Sequence, residues 1–248
     1  MDPIEQYLSA AVDIIKKIKE EEKDQIVKAA EIISDKIAED RLIYIFGPGH
    51  GAMAAEEMFF RAGGLVPISP IFDDTLSLRH VLKCVAIEHL PRYIKHSLDY
   101  YGVKENDVII IVNYVAVEAA SIDMAIEAKN RGAKVIGITS SEFCKSIPPN
   151  APARHPSNKN LFELADIFID THVPPGDAAV KIEGLDQKVA PLSTIAHTFI
   201  VNSIVAQVAK NLIERGITPP IWVSTSFPDA EKVNQKYINK YFQRIKHL

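Results

Sequence analysis

The chain contains 248 residues, 47% of them hydrophobic, and its 28 Lys and Arg residues against 32 Asp and Glu residues give a formal net charge of −4. This apolar content is too high for a disordered chain. The small negative charge provides no general attraction to nucleic acid or to an anionic membrane, so we expect neither as a partner and look for a small-molecule ligand.

The N-terminal segment bears on where the protein is located, and the two cysteines bear on possible disulfide and metal sites. Charged residues interrupt the apolar pattern from Asp2 onward. The segment therefore predicts neither a signal peptide nor a transmembrane helix, and we expect a soluble, cytoplasmic protein. Cys84 and Cys144 lie far apart, without a second ligand at zinc-site spacing. We expect neither a disulfide framework nor a metal site, and no cofactor.

Residues 1–39 are predicted to form an N-terminal helical hairpin. Apolar residues recur every three or four positions in residues 3–18, and a second helical stretch runs from about Asp24 to Ala38, after the charged sequence KEEEKD. The apolar stripe of such a hairpin must be buried on the rest of this chain or on a second copy. A homodimer is one consequence that this pattern allows.

Residues 40–248 show the alternation of an α/β core that ends in C-terminal helices. The short β-branched runs RLIYIF, DVIIIV, AKVIGI and ADIFID lack polar alternation, which is typical of strands buried on both faces. Helical patterns follow them, so we predict a parallel sheet with helices on both faces, within one domain that spans residues 1–248. Ligands of such sheets bind at the carboxyl ends of the strands, here after Phe46, Val112, Ile138 and Asp170.

The strongest local motif is the sequence GPGHGAMAAEE, directly after the first buried strand. Gly47, Gly49 and Gly51, together with His50, would allow backbone amides to approach an anion such as phosphate where the next helix begins. Two alternatives stay open. In the first, the glycines only form a tight turn. In the second, Gly47, Gly49 and Ala52 belong to a dinucleotide-binding GxGxxG/A motif.

The phrase SIDMAIEAKNRGAKVIGITS, with the glycine turn and the paired βαβ pattern, resembles the SIS (sugar isomerase) domain family. The loop tracts HPSNKNLFELADIFID and GDAAVKIEGLDQKVAPLST are similar to SIS proteins known as phosphosugar or phosphoheptose isomerases of unassigned function. The resemblance implies a flavodoxin-like, five-stranded parallel sheet flanked by helices. It also implies phosphosugar ligands, homodimers or homotetramers, and aldose/ketose isomerisation as the commonest chemistry.

Two segments depart from the family pattern where a phosphate would be held. Gly51 occupies the position of the usual serine in the first turn, and residues 112–115 replace the usual SNSG, so that only Asn113 remains. Each lost hydroxyl removes a hydrogen bond to a charged acceptor, which is worth roughly 1.5 to 3 kcal/mol. Thr139, Ser140 and Ser141, after the third buried strand, are the remaining hydroxyl candidates.

Catalytic candidates come from two helices. An isomerase needs a base that moves a proton between adjacent carbons, and Glu57, beside Glu56, is our first candidate. Such an acid can instead simply complement a helix dipole. The second candidate is His197, in an otherwise apolar helix, where the resemblance allows a site histidine and where a histidine can also be a packed residue.

Three loop residues complete the predicted site. His155 and Lys159 belong to the polar loop RHPSNKN and could reach a sugar hydroxyl or a phosphate, and Asp177 could accept a sugar hydroxyl or form a turn. We expect a protein that binds a phosphorylated sugar or amino sugar at the C-terminal edge of the sheet and isomerises it. The alternatives are a non-catalytic sugar-phosphate sensor and a nucleotide-binding protein.

Overall fold

The computed structural model describes residues 2–248, in which helices and strands alternate along most of the chain. The helices are α1 (Pro3–Glu21), α2 (Lys23–Ala38), α3 (Ala52–Met58), α4 (Val81–Glu88), α5 (Lys95–Tyr101), α6 (Ala119–Asn130), α7 (Ser141–Ser146), α8 (Leu161–Leu164), α9 (Ser193–Glu214) and α10 (Ala230–Tyr241). The strands are β1 (Ile43–Phe46), β2 (Ile68–Pro70), β3 (Val108–Val112), β4 (Lys134–Thr139), β5 (Ile167–Asp170), β6 (Ala178–Val180) and β7 (Val189–Pro191).

The first five strands form the parallel sheet that the β-branched runs predict, in the order β2-β1-β3-β4-β5. Ile45 pairs with Ile110 between β1 and β3, and Ile110 pairs with Ile136 between β3 and β4. All five residues of β3 are buried because helices cover both faces of the sheet. This architecture confirms the predicted α/β, SIS-type fold. Strands β6 and β7 form a separate antiparallel pair.

The alternation of side chains along each strand divides the core into two layers. Ile43 and Ile45 of β1 contact the layer formed largely by α1, α2, α3 and α9, which contains Ile33. Tyr44 and Phe46 face the opposite layer, which α5, α6 and α10 largely form. Strands β1, β3 and β4 therefore contribute to both layers.

The N-terminal hairpin buries one apolar stripe on its own chain. Ala11, Ile14 and Ile18 of α1 lie in the same hydrophobic cluster as residues of α2 and α9. Beside this stripe on α1, Ile4 is 77% exposed and Leu8 is 56% exposed. The predicted hairpin is therefore a structural part of this fold and also carries an uncovered apolar surface.

The strand order places a crevice between β1 and β3. The connection after β1 passes through α3, which packs in the first layer, whereas α6 after β3 packs in the second layer. Where connections from neighbouring parallel strands leave in opposite directions, the turns separate and open a ligand crevice. Among the described residues, no helix has the length and apolar character needed to cross a bilayer.

Candidate functional site

The main cleft of the molecule lies at this crevice and has a volume of about 600 Å³. One side is formed by the turn after β1 and the loop after β3, and the entry to α9 closes one end. Helix α4 and the residues just before it form the other side. The volume falls within the range of about 300–1,000 Å³ that is typical of small-molecule sites.

The turn after β1 uses its glycines for close packing against the end of β3. A Cβ atom on Gly47 would lie 2.4 Å from the backbone of Gly51 and 2.7 Å from the carbonyl oxygen of Val112. A Cβ atom on Gly51 would lie 2.2 Å from the same oxygen. A serine, as in the family pattern, therefore has no room at Gly51 in this conformation.

The amides of this turn are also largely occupied. The amide of Gly51 donates to the Pro48 carbonyl at 2.9 Å. The amide of Ala52 donates to the carbonyls of Gly49 and His50. The interpretation that the glycines only form a tight turn explains these contacts. The amides of Gly51 and Ala52 are therefore not free to bind an anion.

In the loop after β3, Asn113 fixes a buried acid at the start of α6. The Asn113 Nδ2 donates to Oε1 of Glu118 at 2.7 Å, and the amide of Val117 donates to Oε2 at 3.0 Å. Ser121 donates to Oε1 through its amide at 3.3 Å and also through its hydroxyl. Glu118, only 4% exposed, is thus the N-cap of α6. Burial raises the pKa of Glu118, while these donors favour its ionised form.

The hydroxyls after β4 also have partners within the protein. Thr139 accepts from the Ala116 amide at 3.2 Å and donates to the Tyr114 carbonyl at 3.3 Å. Ser140 is the N-cap of α7, and its hydroxyl donates to the Val173 carbonyl at 2.6 Å. Ser141 donates through its amide to Asp170 at 3.2 Å. Thr139 and Ser140 therefore fix loops around the cleft.

The Asp177 side chain caps α9, the longest helix of the described chain, although Asp177 precedes Ser193 by 16 residues in the sequence. Its carboxylate accepts from the amides of Leu192 and Ser193 at 2.9 Å and 2.8 Å, and from the Ser193 hydroxyl at 2.7 Å. Asp177 lines the cleft. Its φ of 63° lies in the left-handed region, which aspartate tolerates better than most residues. The positive end of α9 is therefore occupied by a carboxylate of the protein itself.

His197 lies one turn into α9 and is only 2% exposed. Burial lowers its pKa to about 4, against the opposing effect of Asp177. Its Nε2 has no hydrogen-bond partner among residues 2–248. The side chain is therefore a neutral imidazole behind the cleft-lining residue Ser193.

The remaining sequence candidates lie outside the lining of the cleft. The carboxylate of Glu57 accepts from Arg61 at 2.8 Å and from Asn202 of α9 at 2.9 Å. His155 pairs with Asp123 at 3.1 Å, and Lys159 is exposed. In contrast, Gly49, His50, Asn113 and Asp177 do line the cleft. The functional roles of all these residues stay predictions. The structure brings Gly49, His50, Asn113 and Asp177 together in one cleft, but not Glu57, His155 or Lys159.

Helix α4 contributes an acid that the sequence interpretation missed. Glu88 lines the cleft, and its side chain is 21% exposed. Burial, followed by the charge of Glu118, raises the pKa of Glu88 to about 7. The neighbouring His89 Nε2 lies 3.7 Å from its Oε1, beyond hydrogen-bond distance. Glu88 is therefore a carboxyl group that can exchange a proton near neutral pH.

A signal for Glu88 does exist in the sequence. Val81, Cys84, Val85 and Glu88 stand at positions i, i+3, i+4 and i+7, so they share one face of a helix. All four line the cleft. A single carboxylate on an otherwise apolar helix face costs free energy unless the site uses it. That pattern could have identified α4 as a wall of the site.

The lining of the cleft is acidic and apolar. Glu88, Glu118 and Asp177 contribute carboxyl groups, and Tyr114 and Phe143 contribute aromatic rings 4.6 Å apart. Within residues 2–248, no lysine or arginine lines this cleft. The same residues contain no group of three or more His, Cys, Asp or Glu side chains arranged to hold a metal ion.

Comparisons with known proteins agree with this architecture. The family model described as SIS domain matches residues 6–140. The UPF0309 protein of Caldanaerobacter subterraneus subsp. tengcongensis is 37% identical over 246 residues, which cover 98% of this chain and 98% of that protein. The UPF0309 protein of Thermoanaerobacter pseudethanolicus is 38% identical over 248 residues, covering 98% and 99%.

Among solved structures, the phosphoheptose isomerase GmhA from Neisseria gonorrhoeae superposes with a TM-score of 0.54 at 13% identity, covering 84% of this chain and 97% of that chain. The Vibrio vulnificus NanR protein complexed with ManNAc-6P superposes with a TM-score of 0.51 at 14% identity, covering 99% and 70%. At these identities the structural likeness shows the fold alone.

Proposed function

This chain belongs to the SIS-domain family and to its UPF0309 relatives, and from that premise we propose that it binds a phosphorylated sugar or amino sugar in the main cleft and interconverts its aldose and ketose forms. A structural neighbour is named as a phosphoheptose isomerase, and another is complexed with ManNAc-6P. The position and volume of the cleft support the same assignment.

The observation that carries the proposal is the neighbouring pair Glu88 and Glu118. Isomerisation requires a group that removes a proton from one carbon and returns it to the next. A carboxyl group with a pKa of about 7 can do both near neutral pH. In the proposal Glu88 transfers the proton, and the capped Glu118 is the positioning residue whose charge helps to raise the pKa of Glu88.

Glu57 and His197 are not assigned the proton transfer in this proposal. Glu57 is the base predicted from the sequence, but its carboxylate is already engaged by Arg61 and Asn202. His197 is neutral near pH 7 because burial lowers its pKa to about 4. His50 and Asn113, which line the cleft, are the proposed polar contacts to the sugar.

The test has two stages. A thermal-shift panel of hexose and heptose phosphates, free sugars and nicotinamide cofactors identifies the class that binds the folded protein, because only such ligands raise the Tm. Aldose/ketose interconversion of the responding sugar is then followed in the wild type, Glu88→Gln, Glu57→Gln and Glu31→Gln, the last an exposed acid on α2. We expect Glu88→Gln to lower kcat at least about 100-fold, as for loss of an acid–base group. Full activity of Glu88→Gln with loss in Glu57→Gln would restore the sequence-based assignment.

A non-catalytic sensor is the second candidate function. It is favoured because Thr139 and Ser140 are already hydrogen-bonded within the protein and Gly51 leaves no room for a serine. A sugar that raises the Tm without being converted by the wild type would support the sensor. Conversion of the same sugar would exclude it.

We also propose that the chain assembles as a homodimer or homotetramer in the cytoplasm. Ile4, Leu8 and Val12 form an exposed apolar row on α1, at 77%, 56% and 37% exposure. Contiguous apolar surface of this kind is typical of subunit contacts. Sedimentation velocity should give a dimer or tetramer for the wild type and a smaller species for Leu8→Glu.

A further inference from the structure

One wall of the main cleft is apolar and aromatic. The loop after β3, helix α7 and the segment that follows α7 form this wall, and their lining residues are Tyr114, Val115, Phe143, Ile147 and Ala153. The ring centroids of Tyr114 and Phe143 lie 4.6 Å apart, and the ring planes meet at 39°. The aromatic wall, as we call these five residues, therefore offers a ligand a hydrophobic surface without a charged side chain.

Hydrogen bonds within the protein hold the aromatic wall in place. The Tyr114 hydroxyl accepts from the Gly176 amide at 3.1 Å. The Phe143 amide donates to Oγ of Ser140 at 3.2 Å, at the start of α7. Both rings are half-buried, so part of each stays open to the cleft. Because the wall is already ordered, little side-chain entropy is lost when a ligand covers it.

Polar groups without partners lie beside the aromatic wall. The backbone amides of Tyr114 and Val115 have no hydrogen-bond acceptor among residues 2–248. Asn113 donates through Nδ2 to Glu118 at 2.7 Å, which leaves its Oδ1 without a donor in the same part of the chain. All three loop residues line the cleft. The loop after β3 therefore has two free donors and one free acceptor next to an apolar surface.

We infer that the aromatic wall recognises a neutral acylamino substituent, such as an acetamido group, so that the preferred substrate is an N-acylated amino sugar phosphate. The inference rests on the proposed function, because it names the substrate class of the same site. An acetamido group combines a methyl, a carbonyl acceptor and an N–H donor. These groups are the complements of the two rings, of the Tyr114 and Val115 amides and of Asn113 Oδ1, respectively.

Other substituents match this wall less well. A hydroxyl or a free amine at the same ring position has no methyl group to cover the rings and no carbonyl to accept from the loop amides. An acidic substituent would add negative charge to a lining that already contains the carboxyl groups of Glu88, Glu118 and Asp177. A neutral acylamino group avoids both costs.

Matched sugar phosphates test the inference without any mutation. Isothermal titration calorimetry at pH 7.5 compares the 6-phosphates of N-acetylglucosamine, N-acetylmannosamine and N-acetylgalactosamine with those of the matching free amines and parent hexoses. We expect the best N-acetyl compound to bind at least about 10-fold more tightly than both of its matched compounds, as for a methyl group that enters an apolar pocket. Equal or weaker binding of the N-acetyl compounds would overturn the inference and leave the proposed function standing. Failure of all nine compounds to bind would contradict the proposed function and, with it, the inference.

Two variants assign the preference to the aromatic wall. Phe143→Ala removes one ring and should bring the ratio of parent to N-acetyl Kd values close to 1, whereas Ile147→Thr, a smaller change, should lower the ratio in part. Phe162→Ala removes a half-buried ring that stacks on Phe168 outside the cleft lining, so this control should keep the ratio. An unchanged ratio in either wall variant that is folded, as judged by circular dichroism, would overturn the role of the wall.

Discussion

The two sides of the cleft use their polar groups differently. On the sheet side, formed by the turn after β1, the loop after β3 and the entry to α9, Asn113 and Asp177 bond to other parts of the protein. Thr139 and Ser140, outside the lining, do the same at the end of β4. On the helix side, formed by α4, Glu88 presents a carboxyl group without a hydrogen-bond donor from the described chain. The polar groups of the sheet side hold the backbone around the cleft, whereas the helix side presents the Glu88 carboxyl group to it.

This difference distinguishes polar groups that stabilise the fold from a polar group that is available to a ligand. Glycine turns and strand-end hydroxyls stand where ligands bind in this class of sheet, but each can also be required to close the backbone around the crevice. A group that is costly to bury and lacks a partner is better evidence for a ligand. Variants on the sheet side should therefore affect stability most, and variants of Glu88 should affect binding most.

The largest expected effect on stability is that of Gly51→Ser. The new Cβ would lie 2.2 Å from the Val112 carbonyl oxygen, so the turn and the end of β3 must separate. We expect a loss of about 3 kcal/mol in the free energy of unfolding, measured by urea denaturation. The control Ala52→Ser, one residue further along, should change it by less than about 1 kcal/mol. Wild-type stability in Gly51→Ser would show that this turn does not pack against β3.

Removal of the Asp177 carboxylate should have the next largest effect. Asp177→Gly keeps the left-handed φ of 63° accessible but removes the carboxylate that accepts from both Ser193 donors, while the Leu192 amide keeps the backbone carbonyl of residue 177 at 3.2 Å. We expect a loss of about 2 kcal/mol, with a smaller loss in Asp177→Asn, which keeps one oxygen. Hydrogen exchange at the Ser193 amide should accelerate in Asp177→Gly, and unchanged protection there would contradict the capping role.

A smaller effect on stability, with the opposite sign, is expected for Glu88→Gln. The folded chain keeps the Glu88 proton up to a pKa of about 7, whereas the ordinary value is 4.5, so folding binds a proton between these values. The contribution of this group to stability therefore decreases as the pH rises from 4.5 to 7. At pH 8 the variant should be more stable than the wild type by about 1–2 kcal/mol, after allowance for solvent screening.

At pH 4.5 the same two proteins should be nearly equal in stability, because both then carry a neutral side chain at position 88. Paired denaturation curves at the two pH values measure the difference directly. An equal difference at both pH values would show that Glu88 is not held protonated by the fold.

The smallest predicted effect concerns the hydrogen bond between Glu22, in the N-terminal hairpin, and His172, just after β5. The pKa of His172 is raised because its Nε2 donates a hydrogen bond to the Glu22 carboxylate at 3.0 Å. This contribution is fully present below the unfolded pKa of about 6.5 and is lost as the pH rises through the higher folded pKa. Glu22→Gln should cost less than about 1 kcal/mol at pH 6 and almost nothing at pH 9. Glu21→Gln, on a more exposed acid 3.7 Å from the same ring, is the control and should show neither change.

The fold was more predictable from the sequence than the site. Buried runs such as 107–112 specify strands through composition alone, and the carboxyl ends of those strands locate the crevice. The direction of a side chain such as Glu57 depends on the rotation of α3 against α9, which periodicity does not determine. The internal partners of Thr139 and Asp177 come from distant segments, so local motifs cannot reveal that these groups are occupied.

A crystal structure of the protein with the sugar that raises its Tm most tests the account most directly. We predict that the sugar lies in the main cleft within hydrogen-bond distance of the Glu88 carboxyl group, while Asp177 stays bound to Ser193. A sugar seated instead on the backbone amides of residues 47–51, away from α4, would contradict the account.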